Sequence, residues 1–169
     1  MSASPTAFVA LGSNLGVREQ NLEQGLVCLG ERGVRVLRRS ALYLTEPVGG
    51  PPQGWYLNAV AEVEPGALSP EALLEACLEA ERRQGRVRGE KDGPRTLDLD
   101  LLLFGSEVRQ GRALELPHPR LHQRRFVLVP LAEIAPEVLH PVLGKSVREL
   151  LLLCPDRSEV RLFAPAPVN

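Results

Sequence analysis

Gly93-Pro94-Arg95-Thr96-Leu97-Asp98-Leu99-Asp100-Leu101-Leu102-Leu103-Phe104 is an apolar run of strand character that carries two carboxylates two residues apart. Side chains in a strand alternate between faces, so Asp98 and Asp100 are predicted on one face and Leu97, Leu99, Leu101 and Leu103 on the other. Like charges held side by side on a partly buried face are unfavourable unless a cation offsets them. Asp is depleted in strands, which makes an ordinary polar sheet face the weaker explanation. Magnesium accepts a few carboxylates and completes its shell with waters and phosphate oxygens, so the pair points to phosphate chemistry. Arg95 enters behind a Gly-Pro turn and brings a planar guanidinium suited to a polyphosphate.

Upstream, Arg82, Arg83, Arg86, Arg88, Lys91 and Arg95 crowd the segment that leads into the Asp strand. In isolation such a cluster is a solvated basic loop; tethered to paired carboxylates, it supplies the cations that a triphosphate needs. Gly85, Gly89 and Gly93 give the segment the mobility of an active-site lid. No Gly-rich loop ends in Lys-Ser/Thr, which excludes a P-loop nucleotide site.

The elements around this strand follow from periodicity. Thr6 to Leu11 is predicted as a strand, with Ser13 or Asn14 capping a helix that carries Leu22, Leu26 and Leu29 on one face. Val34 to Leu44 is a longer strand, and Glu46 to Pro52, rich in Pro and Gly, is loop. Trp55 to Val63 is a strand with Leu57, Ala59, Ala61 and Val63 on one side and Tyr56, Asn58 and Val60 on the other. Ser69-Pro70-Glu71 opens a second helix that Gly85 ends. The order strand, helix, strand, strand, helix, strand predicts a ferredoxin-like α+β fold: an antiparallel sheet with both helices on one face and the other face free for ligand. Beyond it are expected a hairpin around Glu107 to Arg112, a Pro117-His118-Pro119 loop, a short helix at Val129 to Ile134, and a Ser146-capped helix ended by Pro155.

Tyr56 and Asn58 set an aromatic plate beside an amide, which suits a flat hydrogen-bonding heterocycle and equally an ordinary sheet surface. Phe126 is either core or a second plate, and His118 either a phosphate contact or a surface histidine. The 169 residues are expected to form one domain, 1–169. Twenty Lys and Arg against 21 Asp and Glu leave a net charge of −1, which provides no broad electrostatic surface for nucleic acid or anionic membrane. Three scattered cysteines fit a reducing compartment, and no apolar run reaches membrane-spanning length, so a soluble cytoplasmic protein is expected.

Ala10-Leu11-Gly12-Ser13-Asn14-Leu15-Gly16, Tyr56-Leu57-Asn58-Ala59, Gly85-Arg86-Val87-Arg88, Gly93 through Asp100, and Pro117-His118-Pro119-Arg120 through Phe126-Val127-Leu128, in that order, resemble the 6-hydroxymethyl-7,8-dihydropterin pyrophosphokinase family of folate biosynthesis. The resemblance runs from Phe8 to Pro141 and is weak beyond it. It implies transfer of diphosphate from ATP to 6-hydroxymethyl-7,8-dihydropterin with magnesium, as two ions, giving AMP and the pterin diphosphate, by a monomer. On this resemblance Asp98 and Asp100 are metal ligands, and Arg86 and Arg95 are catalytic-loop cations with Arg88 nearby. His118, Arg124, Glu81 and Leu101 fall at ATP-site positions, Leu101 in the adenine pocket. Tyr56 and Phe126 resemble plates that sandwich the pterin, and Asn58 its edge reader, helped by backbone groups of Thr45, Glu46 and Val48. Lys91-Asp92 departs from the family pattern, in which many members carry a basic residue and Trp before Gly-Pro-Arg, and the loop is one residue shorter.

Two other readings share the fold. Ferredoxin-like sheets bind RNA by stacking bases on exposed aromatics, but that role calls for a basic face, and this chain is 4% aromatic with two acids on the face in question. A catalytically inactive pterin-binding homologue would have no need of Asp98, Asp100, Arg86 and Arg95 together.

Overall fold

The computed structural model describes residues 4–85 and 93–167. Strand β1 (Ala7–Ser13) lies between β4 (Tyr56–Glu64) and β5 (Asp98–Phe104) and is antiparallel to both. Strands β2 (Arg35–Arg39) and β3 (Leu42–Thr45) follow one another along the far side of β4, and β8 (Val160–Ala164) adds an outer edge to β3. The order β5-β1-β4-β3-β8 contains the predicted ferredoxin-like arrangement with one extra strand. Helices α1 (Arg18–Glu31) and α2 (Pro70–Arg83) cover one face, where Val9, Leu11, Leu57, Ala59, Leu73 and Leu97 form the main core.

The second face is not left free. Helices α3 (Arg125–Ile134) and α4 (Val147–Leu153) bury Phe8, Ala10, Val60, Leu102 and Leu103 beneath Leu128 and Leu131, so that among the described residues the end of the sheet nearest Gly12 and Asp98 is the part left uncovered by these helices. Leu103 departs from the predicted alternation and lies on this second face with Leu102. The pairing of β1 with β5 jumps from Phe8↔Leu103 to Val9↔Leu101, leaving Leu102 as a bulge that reverses the pleat.

Other departures from the sequence reading have local causes. The predicted Val34–Leu44 strand is interrupted because the Ala41 N–H leaves the ladder for the Glu133 carboxylate on α3, at 3.1 Å, while the buried Ser40 hydroxyl accepts the Val60 N–H at 3.0 Å. Helix α3 begins at Arg125 rather than Val129; the Arg125 N–H is satisfied by Asp156 at 2.9 Å, a partner remote in sequence, and Pro130 is accommodated inside the helix. Helix α2 starts as predicted, with Ser69 Oγ accepting the Ala72 N–H, and α4 has the reciprocal Ser146–Glu149 capping box. Short strands β6 (Arg109–Gln110) and β7 (Glu115–Leu116) form the hairpin, centred a few residues later than expected.

Candidate functional site

The pairing of the strands composes the site. On the open end of the second face, Asp98, Gly12, Asn58 and Tyr43 lie side by side across β5, β1, β4 and β3. The next row is Asp100, Ala10 and Val60, where α3 begins to cover the sheet. Gly12 is the open floor of the first row. A Cβ built there lies 2.6 Å from Asn58 Oδ1, too close for any real contact, so the missing side chain is what lets the Asn58 amide lie flat across β1. Asn58 is oriented by its Nδ2, which donates to the buried Thr45 hydroxyl at 2.6 Å.

A pocket above this row is lined by Thr45, Glu46, Val48, Tyr56, Asn58 and Phe126, and also by Arg95, Asp98 and Arg124. All six residues expected around the heterocycle therefore share one cavity with part of the expected polyphosphate set. Pro47, Gln53 and Arg120 complete its wall. These three had no role in the sequence reading; Arg120 lay within a quoted motif, whereas nothing in a Pro/Gly-rich loop marks Gln53. Phe126 reaches the cavity because α3 starts early, and the Arg124 guanidinium stacks 5.6 Å from its ring centroid.

Arg95 Nη1 lies 3.3 Å from Asp98 Oδ2 and Arg124 Nη1 lies 3.8 Å from Asp100 Oδ2. Burial, reinforced by the Asp98 charge, nevertheless raises Asp100 well above the ordinary carboxylate range, so Arg124 and Arg95 do not fully offset the cost of a charge on Asp100. Two hard oxygen ligands side by side on one face, the inner of them resisting ionisation, fit a divalent cation that draws its remaining ligands from water and phosphate. Among the described residues no third His, Cys, Asp or Glu joins them as a metal-binding group.

His118 stands near Asp98 and Arg124, and its Nδ1 accepts the Arg120 N–H at 3.1 Å. Burial, followed by the Arg124 charge, pushes it down to about 4, so the imidazole is neutral and presents Nε2–H as its donor. Glu81, buried near the end of α2, accepts the Leu99 N–H at 2.8 Å and so covers the open edge of β5. Leu101 is turned the other way: 4% exposed, it packs into the core beneath α1 and α2, so its side chain is not part of the cavity. The alternation that unites Asp98 with Asp100 is what sends Leu101 to the opposite face. Arg86 and Arg88, with the rest of the expected lid from 86 to 92, lie outside the described residues.

Fold and site together define an α+β domain with a stacking pocket and an acidic, arginine-flanked rim on one end of a sheet face. Residues 8–136 match the 7,8-dihydro-6-hydroxymethylpterin-pyrophosphokinase (HPPK) family model, and the chain belongs to that family. It is 39% identical over 158 residues to the 2-amino-4-hydroxy-6-hydroxymethyldihydropteridine pyrophosphokinase of Haemophilus influenzae, covering 93% of this chain and 98% of that one. It is 44% identical over 147 residues to the protein of the same name from Methylorubrum extorquens, covering 86% and 90%. Among solved structures, wild-type Plasmodium falciparum HPPK-DHPS superposes with a TM-score of 0.69 at 14% identity, over 90% of this chain. The chain spans 45% of the length of that protein, and the likeness concerns the fold.

Proposed function

We infer that this protein transfers the diphosphate of ATP to the hydroxymethyl group of 6-hydroxymethyl-7,8-dihydropterin, releasing AMP, as a step in folate synthesis. The observation that carries the reading is the single cavity in which Tyr56, Asn58 and Phe126 meet Arg95, Asp98 and Arg124. A bicyclic pterin stacks between Tyr56 and Phe126, and the Asn58 carboxamide, held by Thr45, reads its edge. The substrate hydroxyl oxygen then forms a bond to the β-phosphorus of ATP while the bond from that phosphorus to the oxygen bridging it to the α-phosphorus breaks; AMP departs with the bridging oxygen and the hydroxyl proton passes to solvent. Asp98 and Asp100 would hold the divalent metal that pyrophosphate transfer from ATP requires; we assign it as magnesium, in two ions, neutralising the phosphate oxygens. Arg95 and Arg124, already placed against the carboxylates, follow the charge as it moves to the leaving group, joined from the lid by Arg86 and Arg88. His118 donates Nε2–H to a phosphate oxygen, and Glu81 supports the strand on which both carboxylates stand. Leu101, its side chain in the core, backs the strand that carries both carboxylates. The protein acts as a single domain and a monomer in the cytoplasm, where its free, buried Cys28, Cys77 and Cys154 remain reduced.

Incubation with ATP, magnesium and the reduced pterin, followed by separation of the nucleotides, tests the assignment. AMP in step with pterin consumption is expected. ADP in its place overturns the reaction, and pterin binding without any nucleotide turnover identifies an inactive homologue instead.

A further inference from the structure

We propose that Asn14 is a positioning residue that ties the loop over the heterocycle to the segment carrying Arg95. The sequence suggests a helix cap, but α1 is capped at Val17 without any side chain, and the Asn14 carboxamide is bonded elsewhere. Asn14 is 8% exposed, just beyond the end of β1. Its Oδ1 accepts the Arg95 N–H at 2.8 Å, and its own N–H donates to the Arg95 carbonyl at 3.0 Å. Its Nδ2 donates to Gln53 Oε1 at 2.8 Å and to the Gly54 carbonyl at 2.9 Å. The backbone partners settle which end of the amide is which, since an N–H can only donate and a carbonyl only accept.

One carboxamide therefore joins both halves of the cavity. Gln53 lines the pocket, and its Nε2 in turn holds the Pro51 carbonyl at 3.2 Å, in a stretch whose Pro and Gly residues offer few ladder bonds of their own. Arg95 faces Asp98. Tyr56 adds a parallel tie, its hydroxyl donating to the Gly93 carbonyl at 3.4 Å. Filling the heterocycle pocket thus steadies the backbone from which the Arg95 guanidinium reaches the polyphosphate. Asp at position 14 keeps the acceptor for Arg95 and loses both donors, which separates the two arms.

This role rests on the pyrophosphokinase reading, and the test tells the two apart. Hydrogen exchange is followed in the full chain, wild type, Asn14→Ala and Asn14→Asp, with and without 6-hydroxymethylpterin, alongside steady-state kinetics. In the wild type, pterin is expected to slow exchange at residues 93–96 as well as 45–48. In Asn14→Ala the slowing at 93–96 disappears, and kcat falls by on the order of 10²-fold, as expected for a misplaced catalytic group, while nucleotide KM changes far less. In Asn14→Asp, which retains the acceptor for the Arg95 N–H, pterin KM rises by about 10-fold for the lost buried donors and nucleotide KM is unchanged. Equal protection of 93–96 in all three proteins, or parallel losses in kcat and both KM values, overturns the positioning role while leaving the reaction intact. A wild type that binds no pterin and forms no AMP overturns the functional reading, and this role with it.

Discussion

Gly12 shows how an absent atom can be functional. Its Cα sits between Asp98 and Asn58, and the room a methyl group would need is taken by the Asn58 amide. Gly12→Ala is expected to displace that amide from its bond with Thr45 and raise the pterin KM by about 10-fold, the loss of one buried hydrogen bond, with nucleotide KM little changed; an unaltered pterin KM would show that Asn58 does not read the ring. Tyr56→Ala should weaken pterin binding by about 1–3 kcal/mol through lost stacking area, read by calorimetry, and leave nucleotide binding nearly untouched. Equal loss of both ligands would make Tyr56 structural. Asp100→Asn removes a carboxylate that burial and Asp98 already oppose, so the metal-free variant should melt higher than the wild type while turnover drops by on the order of 10²-fold or more. A lower melting temperature would mean that the charge stabilises the fold. At this scale the sequence was informative wherever spacing alone assigns a face: Asp98 with Asp100, Tyr56 with Asn58. It was silent where a role depends on an approach between distant segments, as for Gly12, Gln53 and Asn14.

The elements deliver these residues by different means. Strand β5 lies at the edge of the sheet, and Glu81 of α2 satisfies its outward Leu99 N–H, so the carboxylate strand is held from the side opposite β1. The bulge at Leu102 lets the strand present Asp98 and Asp100 to ligand and then send two successive leucines beneath α3. Periodicity cannot reveal such a reversal, because a bulge is set by the partner strand. The same holds for the start of α3, which depends on Asp156, and for β8, a short exposed edge recognised only once β3 is beside it. The segment after β7 carries His118, whose depressed pKa has a measurable consequence. Because the folded protein resists protonating His118 until about pH 4 while the unfolded chain takes the proton near 6.5, stability is fully present above 6.5 and declines as pH falls towards 4. His118→Gln should flatten that slope in denaturant titrations, and an NMR titration of the imidazole should show no protonation near 6.5. A midpoint close to 6.5 would contradict the neutral donor assigned here.

Across the whole molecule, the six-element ferredoxin-like unit was legible from the alternation of periods, and the antiparallel sheet with α1 and α2 on one face follows as expected. What the pattern did not reveal was the use of the second face. The C-terminal third of the chain covers most of it with α3 and α4, leaving one end as a pocket in which stacking residues and charge meet. Among the described residues no helix is long and apolar enough to cross a membrane, and the net charge of −1 leaves the arginines to act locally. On the proposed reaction, a small heterocycle and a polyphosphate share that one pocket, and the bond that breaks joins the β-phosphorus to the oxygen it shares with the α-phosphorus. A single turnover with ATP labelled at the β-phosphorus tests this most directly. The label should leave on the pterin as a diphosphate, with unlabelled AMP as the nucleotide product; label retained in ADP would contradict it.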